Sequence, residues 1–554
     1  MTQVFRLCDE YLTRWAALDP VAAGTRGLTG PFGAGTDYGP DGYAAREDLI
    51  VSTLTGLEAV PVTSDQDRLA AGFLRERLEA QLAWHQLKEP LRLLRAPIGP
   101  VSSIRDSVDL LPRDGDEAWR NIAARLAAIP AMFASWRASL DAGLGQGLAA
   151  ARRQAVEAAD QAERYAGTHD ALVASYGGGP LAGELAAAAA QAHGGYQELA
   201  RYLREEYAPR APEQDGVGAE RYAVAARLSL GADIDLAEAY EWGWAELGRI
   251  EAEMAAEADK ISPGGSVDEA AAVLGQTEFV TGADAYLAWL QDRHDAAIER
   301  LDGVHFDIAP PLRRIEVVLA RGSASGAAYY TPPSEDFTRP GRTWWPLGGR
   351  DEGDRFETWS ELSTVFHEGV PGHHLQAGAA KMAGDRLSRF ARSSFVSGHG
   401  EGWALYAERL ADELGWFGEP GTRLGMLGGS ALRAARVVID IGVHLGLPLP
   451  DGSRWTFGQA CEVLRERGRA DPHRVHAEVV RYFGWPGQAI AYKLGERGWL
   501  AAREQAMRRP GFDLKRWHTA ALSLGPIGLG GLADALASIQ DGAGSATSPS
   551  RGQT

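Results

Sequence analysis

Long stretches of the chain place apolar residues every three to four positions, with Ala, Leu, Glu and Arg filling the rest. That spacing is the mark of amphipathic helices. It predicts helices over 66–85, 116–140 (kinked at Pro130), 148–166, 180–206, 235–261 and 282–301. Breaks fall at Gly/Pro clusters, as at Thr29-Gly30-Pro31-Phe32-Gly33 and Gly177-Gly178-Gly179-Pro180. One region has another character. Segments 313–320, 326–331 and 341–347 are short, β-branched or aromatic, and bounded by Gly and Pro, and they predict a small antiparallel sheet. Its edge strand would lie beside the helix that follows and could hold a substrate backbone, with Tyr330 facing it. The fold class is therefore mainly α with one small sheet. No internal repeat is evident. The Gly/Ser/Thr/Pro tail from about Asp541 carries no apolar run and is expected to be disordered.

Composition narrows the function more than the fold. The formal net charge of -18 argues against nucleic acid as a partner, because phosphate binding needs basic clusters. No run of about 20 apolar residues is present, so no membrane span is expected. Only Cys8 and Cys461 occur, which excludes a disulfide framework and suits a reducing cytoplasm. The first ten residues lack the basic and apolar regions of a secretory signal, so a cytoplasmic location is expected.

The chemistry concentrates in Phe366-His367-Glu368-Gly369-Val370-Pro371-Gly372-His373-His374. It reads as an H-E-x-x-H metal site with a Pro-Gly pair set before the second His. Imidazole and carboxylate are ligands for Zn²⁺, and the Glu beside the first His is placed to act as a base for water. In a straight helix the second ligand would stand four residues on, but that position is Pro371. Proline removes a helix hydrogen bond and clashes with the carbonyl of His367, so the helix must kink, bulge or break there. Gly372 then gives the chain freedom to turn back. His373 becomes the second ligand if the inserted pair loops out. His374, at i+7, is the second choice. A third ligand is sought nearby, and Glu401 in Gly398-His399-Gly400-Glu401-Gly402-Trp403-Ala404-Leu405-Tyr406-Ala407-Glu408 stands near a predicted helix start. Its spacing after the motif matches the third ligand of glutamate-type zinc peptidases, and Glu408 on the same face could hydrogen-bond a liganding His.

Further along, Arg433, Arg436, Asp440 and His444 follow one another at three- and four-residue steps on one helix face. They read as a buried polar network that supports the metal site, binds a substrate terminus, or is a core ion pair. The segment Arg481-Tyr482-Phe483-Gly484-Trp485-Pro486-Gly487-Gln488-Ala489-Ile490-Ala491-Tyr492-Lys493-Leu494-Gly495 carries a Pro-Gly turn that would aim Gln488, Tyr492 or Lys493 into a cleft. Arg481 is a candidate clamp for a substrate carboxylate.

Three of these segments, H-E-x-x-P-G-H-H, E-G-W-A-x-Y-A-E and R-Y-x-x-x-P-G-Q-A-x-x-Y-K-x-G, resemble the marks of the bacterial domain of unknown function 885, and the resemblance runs over nearly the whole chain. It implies kinship with zinc metallopeptidases such as the helical oligopeptidases. The implied architecture is two helical lobes around a deep cleft: 1–220 as one wall, 221–540 carrying the site, and 541–554 as tail. The implied chemistry is one Zn²⁺ per chain held by His367, His373 and Glu401, Glu368 as general base, and Tyr492 (behind it Tyr482 and His444) donating to the oxyanion. Short peptides or amides are the expected substrates. Other readings are hydrolysis of a non-peptide amide or ester, and a non-catalytic helical binding protein.

Overall fold

The computed structural model describes residues 1–28, 30, 32–320, 327–334 and 336–544. Helices dominate, and the apolar periodicity locates them well. Helices Asp65–Gln86, Leu236–Ile261 and Ala283–Leu301 lie within two residues of the expected bounds. The helix Gly115–Gly145 runs on through Pro130, which packs against Gly195 of the helix Ala182–Tyr202. The expected helix from 148 begins only at Arg152, and the one expected to reach 206 passes into a π turn over Leu203–Tyr207. The last helix, Leu529–Gly544, extends into the segment expected to be tail, and 545–554 lie outside the described residues. So do Thr29 and Pro31 of the first expected break, and Gly326 of the expected middle strand.

The sheet differs from expectation in its hand of pairing. Strands β1 (Phe279–Thr281), β2 (Ile315–Leu319), β3 (Tyr329–Thr331), β4 (Gly341–Trp345) and β5 (Arg355–Glu357) form two small sheets. In the larger, ordered β2-β4-β3, β3 pairs antiparallel with β4 but β2 pairs parallel. The connection from β2 skips a position to let β3 take the outer edge of β4, so β2 and β4 run the same way. The second sheet, β1 with β5, unites segments far apart in sequence and too short to signal themselves.

Apolar side chains collect in several clusters. One joins residues from Val21 to Ala211, and another gathers Tyr222 to Leu494 around the helix Thr422–Leu445. The metal motif lies where this second cluster meets a third, built on Trp403, Tyr406, Trp499 and Trp517. There the helices Ser397–Glu413 and Ala491–Met507 cross backbone to backbone. A Cβ on Gly402 would stand 2.4 Å from the carbonyl carbon of Gly495, and one on Gly495 would stand 2.2 Å from the carbonyl oxygen of Gly398. Only glycine permits that approach. Gly402→Ala is expected to cost about 1–3 kcal/mol by overpacking. Gly248→Ala, in a helix with open space at that position, should instead stabilise by up to about 1 kcal/mol. Thermal melts of the two variants check this, and equal melting temperatures would refute the close crossing.

Candidate metal centre

The helix Glu361–Glu368 is seated by Phe366, which packs on Trp416 and Phe417, and His367 follows about 100° further round the helix. The helix ends at Glu368, the chain turns through Gly369–Gly372, and a new helix starts at His373. The break falls where proline requires it. Gly372 folds back onto the end of the first helix and donates its N–H to the Phe366 carbonyl at 3.1 Å. A Cβ there would lie 2.0 Å from the His367 carbonyl oxygen. The Trp403 indole donates to the Pro371 carbonyl at 2.8 Å and pins the turn to the helix that carries Glu401.

This turn brings His373, rather than His374, beside His367. The two rings stand perpendicular with centroids 4.9 Å apart, and one donor atom each of His367, His373 and Glu401 lie within 4.8 Å of one another. Each Nε2 is 3.5 Å from the same Glu401 oxygen. Two ligands at about 2.1 Å from one tetrahedral zinc would be separated by about 3.4 Å, which the two His–Glu401 spacings match. The donor set fits as well: two imidazoles and one carboxylate leave a fourth position open. Glu401 sits one turn inside its helix, past the first-turn place where the helix dipole alone would account for an acid.

Surrounding groups fix these donors. Glu408 accepts the Nδ1–H of His367 at 2.7 Å, which leaves Nε2 to face the triad. Its other oxygen accepts the Ser363 hydroxyl, and Ser363 shares the His367 helix. Burial disfavours charge on His367, yet the carboxylates of Glu401 and Glu408 outweigh it and push the imidazole up to about 9. Burial would likewise raise Glu401, but its hydrogen bonds to the two imidazoles hold it well below the usual carboxylate range. The site is thus built around charge of both signs. Glu368 is buried, with no hydrogen-bond or ion-pair partner among the described residues. Burial raises its pKa, tempered by His367 and His373.

Other expected site residues are placed differently. His374 is fully buried and turned away from the triad. Its Nε2–H donates to the Leu312 carbonyl at 2.9 Å, so its Nδ1 accepts the Tyr330 hydroxyl at 3.0 Å. With both nitrogens engaged and burial pushing its pKa down to about 4, it ties the motif to β3 and is not a ligand. Tyr330 spends its hydroxyl on that tie. His444 is buried under Tyr222, with Nε2 3.0 Å from the Tyr482 carbonyl, far inside the fold rather than facing a substrate. Arg481 donates to Glu478 at 2.8 Å and to the Gln488 side-chain oxygen, so its charge is paired within the fold. The turn before Tyr492 holds by Gly487, whose N–H donates to Asp440 at 3.0 Å and whose positive φ of 73° glycine tolerates. Tyr492 stays near the triad. Burial and then the Glu401 charge raise its pKa, and the Arg436 guanidinium lies 4.8 Å from its ring centroid. Ser363 and Trp403 were not anticipated as site supports. Neither stands out in sequence, since a lone Ser or Trp on a helix has many commoner uses.

If His367, His373 and Glu401 hold zinc, elemental analysis should find about one zinc per chain, lost on alanine substitution of any of the three and kept in His374→Ala. Glu408→Gln should weaken zinc affinity about 10–100-fold in competition with a chelator.

The profile of a family described as bacterial protein of unknown function (DUF885) matches residues 20–536. Among solved structures, a candidate lipoprotein from Colwellia psychrerythraea superposes with a TM-score of 0.83 at 21% identity, covering 98% of this chain and 99% of that one. A candidate lipoprotein of unknown function from Shewanella oneidensis gives a TM-score of 0.76 at 16% identity, covering 98% and 100%. These likenesses establish a shared fold. No curated protein matches the chain.

Proposed function

The chain belongs to the bacterial family of unknown function DUF885, and from that premise we propose that it is a zinc-dependent hydrolase of peptide or amide bonds acting on short peptides. The observation that carries the proposal is Glu368, a buried carboxylate without a hydrogen-bond or ion-pair partner among the described residues, beside three convergent metal donors. A site built only to hold a metal for structure would close with a fourth ligand and has no use for such an acid.

Zinc, when bound, supplies Lewis acidity, lowering the pKa of water and polarising a carbonyl. The protein's own groups do the rest. Glu368, made more basic by burial, takes a proton from the attacking water and delivers it to the leaving amine. Tyr492, whose hydroxyl has no hydrogen-bond partner among the described residues, donates to the oxyanion that develops on the scissile carbonyl. Glu408 keeps His367 in the tautomer that presents Nε2.

Substrate would approach from the side of His373 and Glu401, whose side chains keep 16% and 15% exposure against 5% for His367. We read the body as two lobes meeting near residue 220, with the triad reached through the cleft between them. No helix among the described residues is long and apolar enough to cross a membrane. The cytoplasmic reading rests on Cys8 and Cys461, both free thiols, and cell fractionation tests it against the lipoprotein description of the neighbours.

Glu368→Gln should retain one zinc and lose about 10²–10⁴-fold in kcat on whatever peptide the wild type cleaves. A peptide library followed by mass spectrometry identifies that peptide. Unchanged turnover in Glu368→Gln would remove the proposed base, and a zinc-loaded wild type inert on the library would sink the peptidase reading.

A further inference from the structure

Three guanidinium groups stand together beside the triad. Arg433 and Arg436 come from the helix Thr422–Leu445, and Arg481 comes from Pro472–Gly484. Arg436 and Arg481 share a single carboxylate: each donates to the same oxygen of Glu478, at 2.9 and 2.8 Å. Tyr482 adds a third hydrogen bond to that oxygen at 2.5 Å. Arg433 has no such partner. Its nearest acid is Glu408, at 3.8 Å, and the oxygen concerned is already taken by His367. That distance is an ion pair but no hydrogen bond. The Nε of Arg433 is buried without any hydrogen-bond partner.

Three arginines face Glu478 and Glu408. Lys493 close by is matched separately by Glu496 at 2.5 Å and Glu246 at 3.1 Å, and Glu246 also takes Arg249. Asp440, on the same helix as Arg433, is turned to the Gly487 N–H and lies 3.4 Å from His444. Arg433 is thus the one arginine of the three without a hydrogen-bonded carboxylate, and a partly buried guanidinium left so is costly unless an anion joins it. Arg433 borders the site by geometry: it lies 3.8 Å from Glu408, which holds His367, and Arg436, one turn on, stands 4.8 Å from the Tyr492 ring centroid. The rim at Arg433 is 18% exposed, so a small group can reach it.

We propose that Arg433, backed by Arg436, anchors a free carboxylate of the substrate, so that the protein takes short peptides by their C-terminal end. This rests on the hydrolase reading for the consequence of binding but not for the binding itself. Arg433 replaces Arg481 in the anchoring role because Arg481 is hydrogen-bonded to a carboxylate and Arg433 is not.

The test is calorimetric binding of N-acetyl-trialanine as the free acid and as the C-terminal amide to the zinc-loaded Glu368→Gln protein, which does not turn the peptide over. The acid is expected to bind about 10–100-fold tighter than the amide. In the Glu368→Gln/Arg433→Gln protein that ratio should fall to near one, while Arg433→Lys, which keeps the charge, should retain part of it. Equal affinities for acid and amide, a ratio untouched by Arg433→Gln, or no binding of the acid up to about 10 mM would each overturn the proposal. The hydrolase reading fails by a different sign, a wild type that cleaves nothing, and the binding ratio can still be measured in that case.

Discussion

Everything at the candidate centre depends on the place where Pro371 forbids the helix to continue. A proline there removes a backbone donor and collides with the carbonyl four residues back. The helix ends at Glu368 and restarts at His373, and the intervening turn swings His373 round to a position a straight helix would have denied it. The Trp403 indole and Gly372 hold the turn in that form. An insertion that looks like damage to a metal motif is thus the device that makes its second imidazole converge.

The turn also separates two adjacent histidines into two different jobs. His373 looks toward Glu401, whereas His374 looks toward β3 and the Leu312 carbonyl. Gly341 makes the second job possible, since a Cβ there would stand 2.5 Å from both the His374 ring and the Tyr330 hydroxyl. Gly369 does the same on the other side of the turn, against the buried His294. The mixed sheet therefore serves to brace the motif, through contacts made with side chains of the sheet's edge strand.

Much of this was legible in the residues. Helix positions follow from the period of apolar positions, and the break at Pro371 follows from the chemistry of proline. The choice of His373 over His374 could be posed but not decided from spacing, because both require distortion and only the path of Gly369–Gly372 discriminates. The parallel pairing of β2 with β4 was not legible either. Strand direction is set by how the connections pack, and residues 313–347 carry turn signals without specifying the order. His444 and Arg481 misled for a common reason. A polar residue on an apolar stripe announces that it has a partner, but not whether the partner is a substrate or a neighbouring backbone carbonyl and carboxylate. Arg433 lay in the same stripe, and only the geometry of Glu408 reveals that it is the one left short.

The order of these parts along the chain has a bearing on synthesis. All three convergent donors fall between His367 and Glu401, whereas Tyr492 and the glycine that closes the helix crossing lie in a helix beginning at Ala491. As the polypeptide leaves the ribosome, the ligands emerge together and the element that covers them emerges later. If the triad holds an ion, the two could meet before the helix beginning at Ala491 has been made.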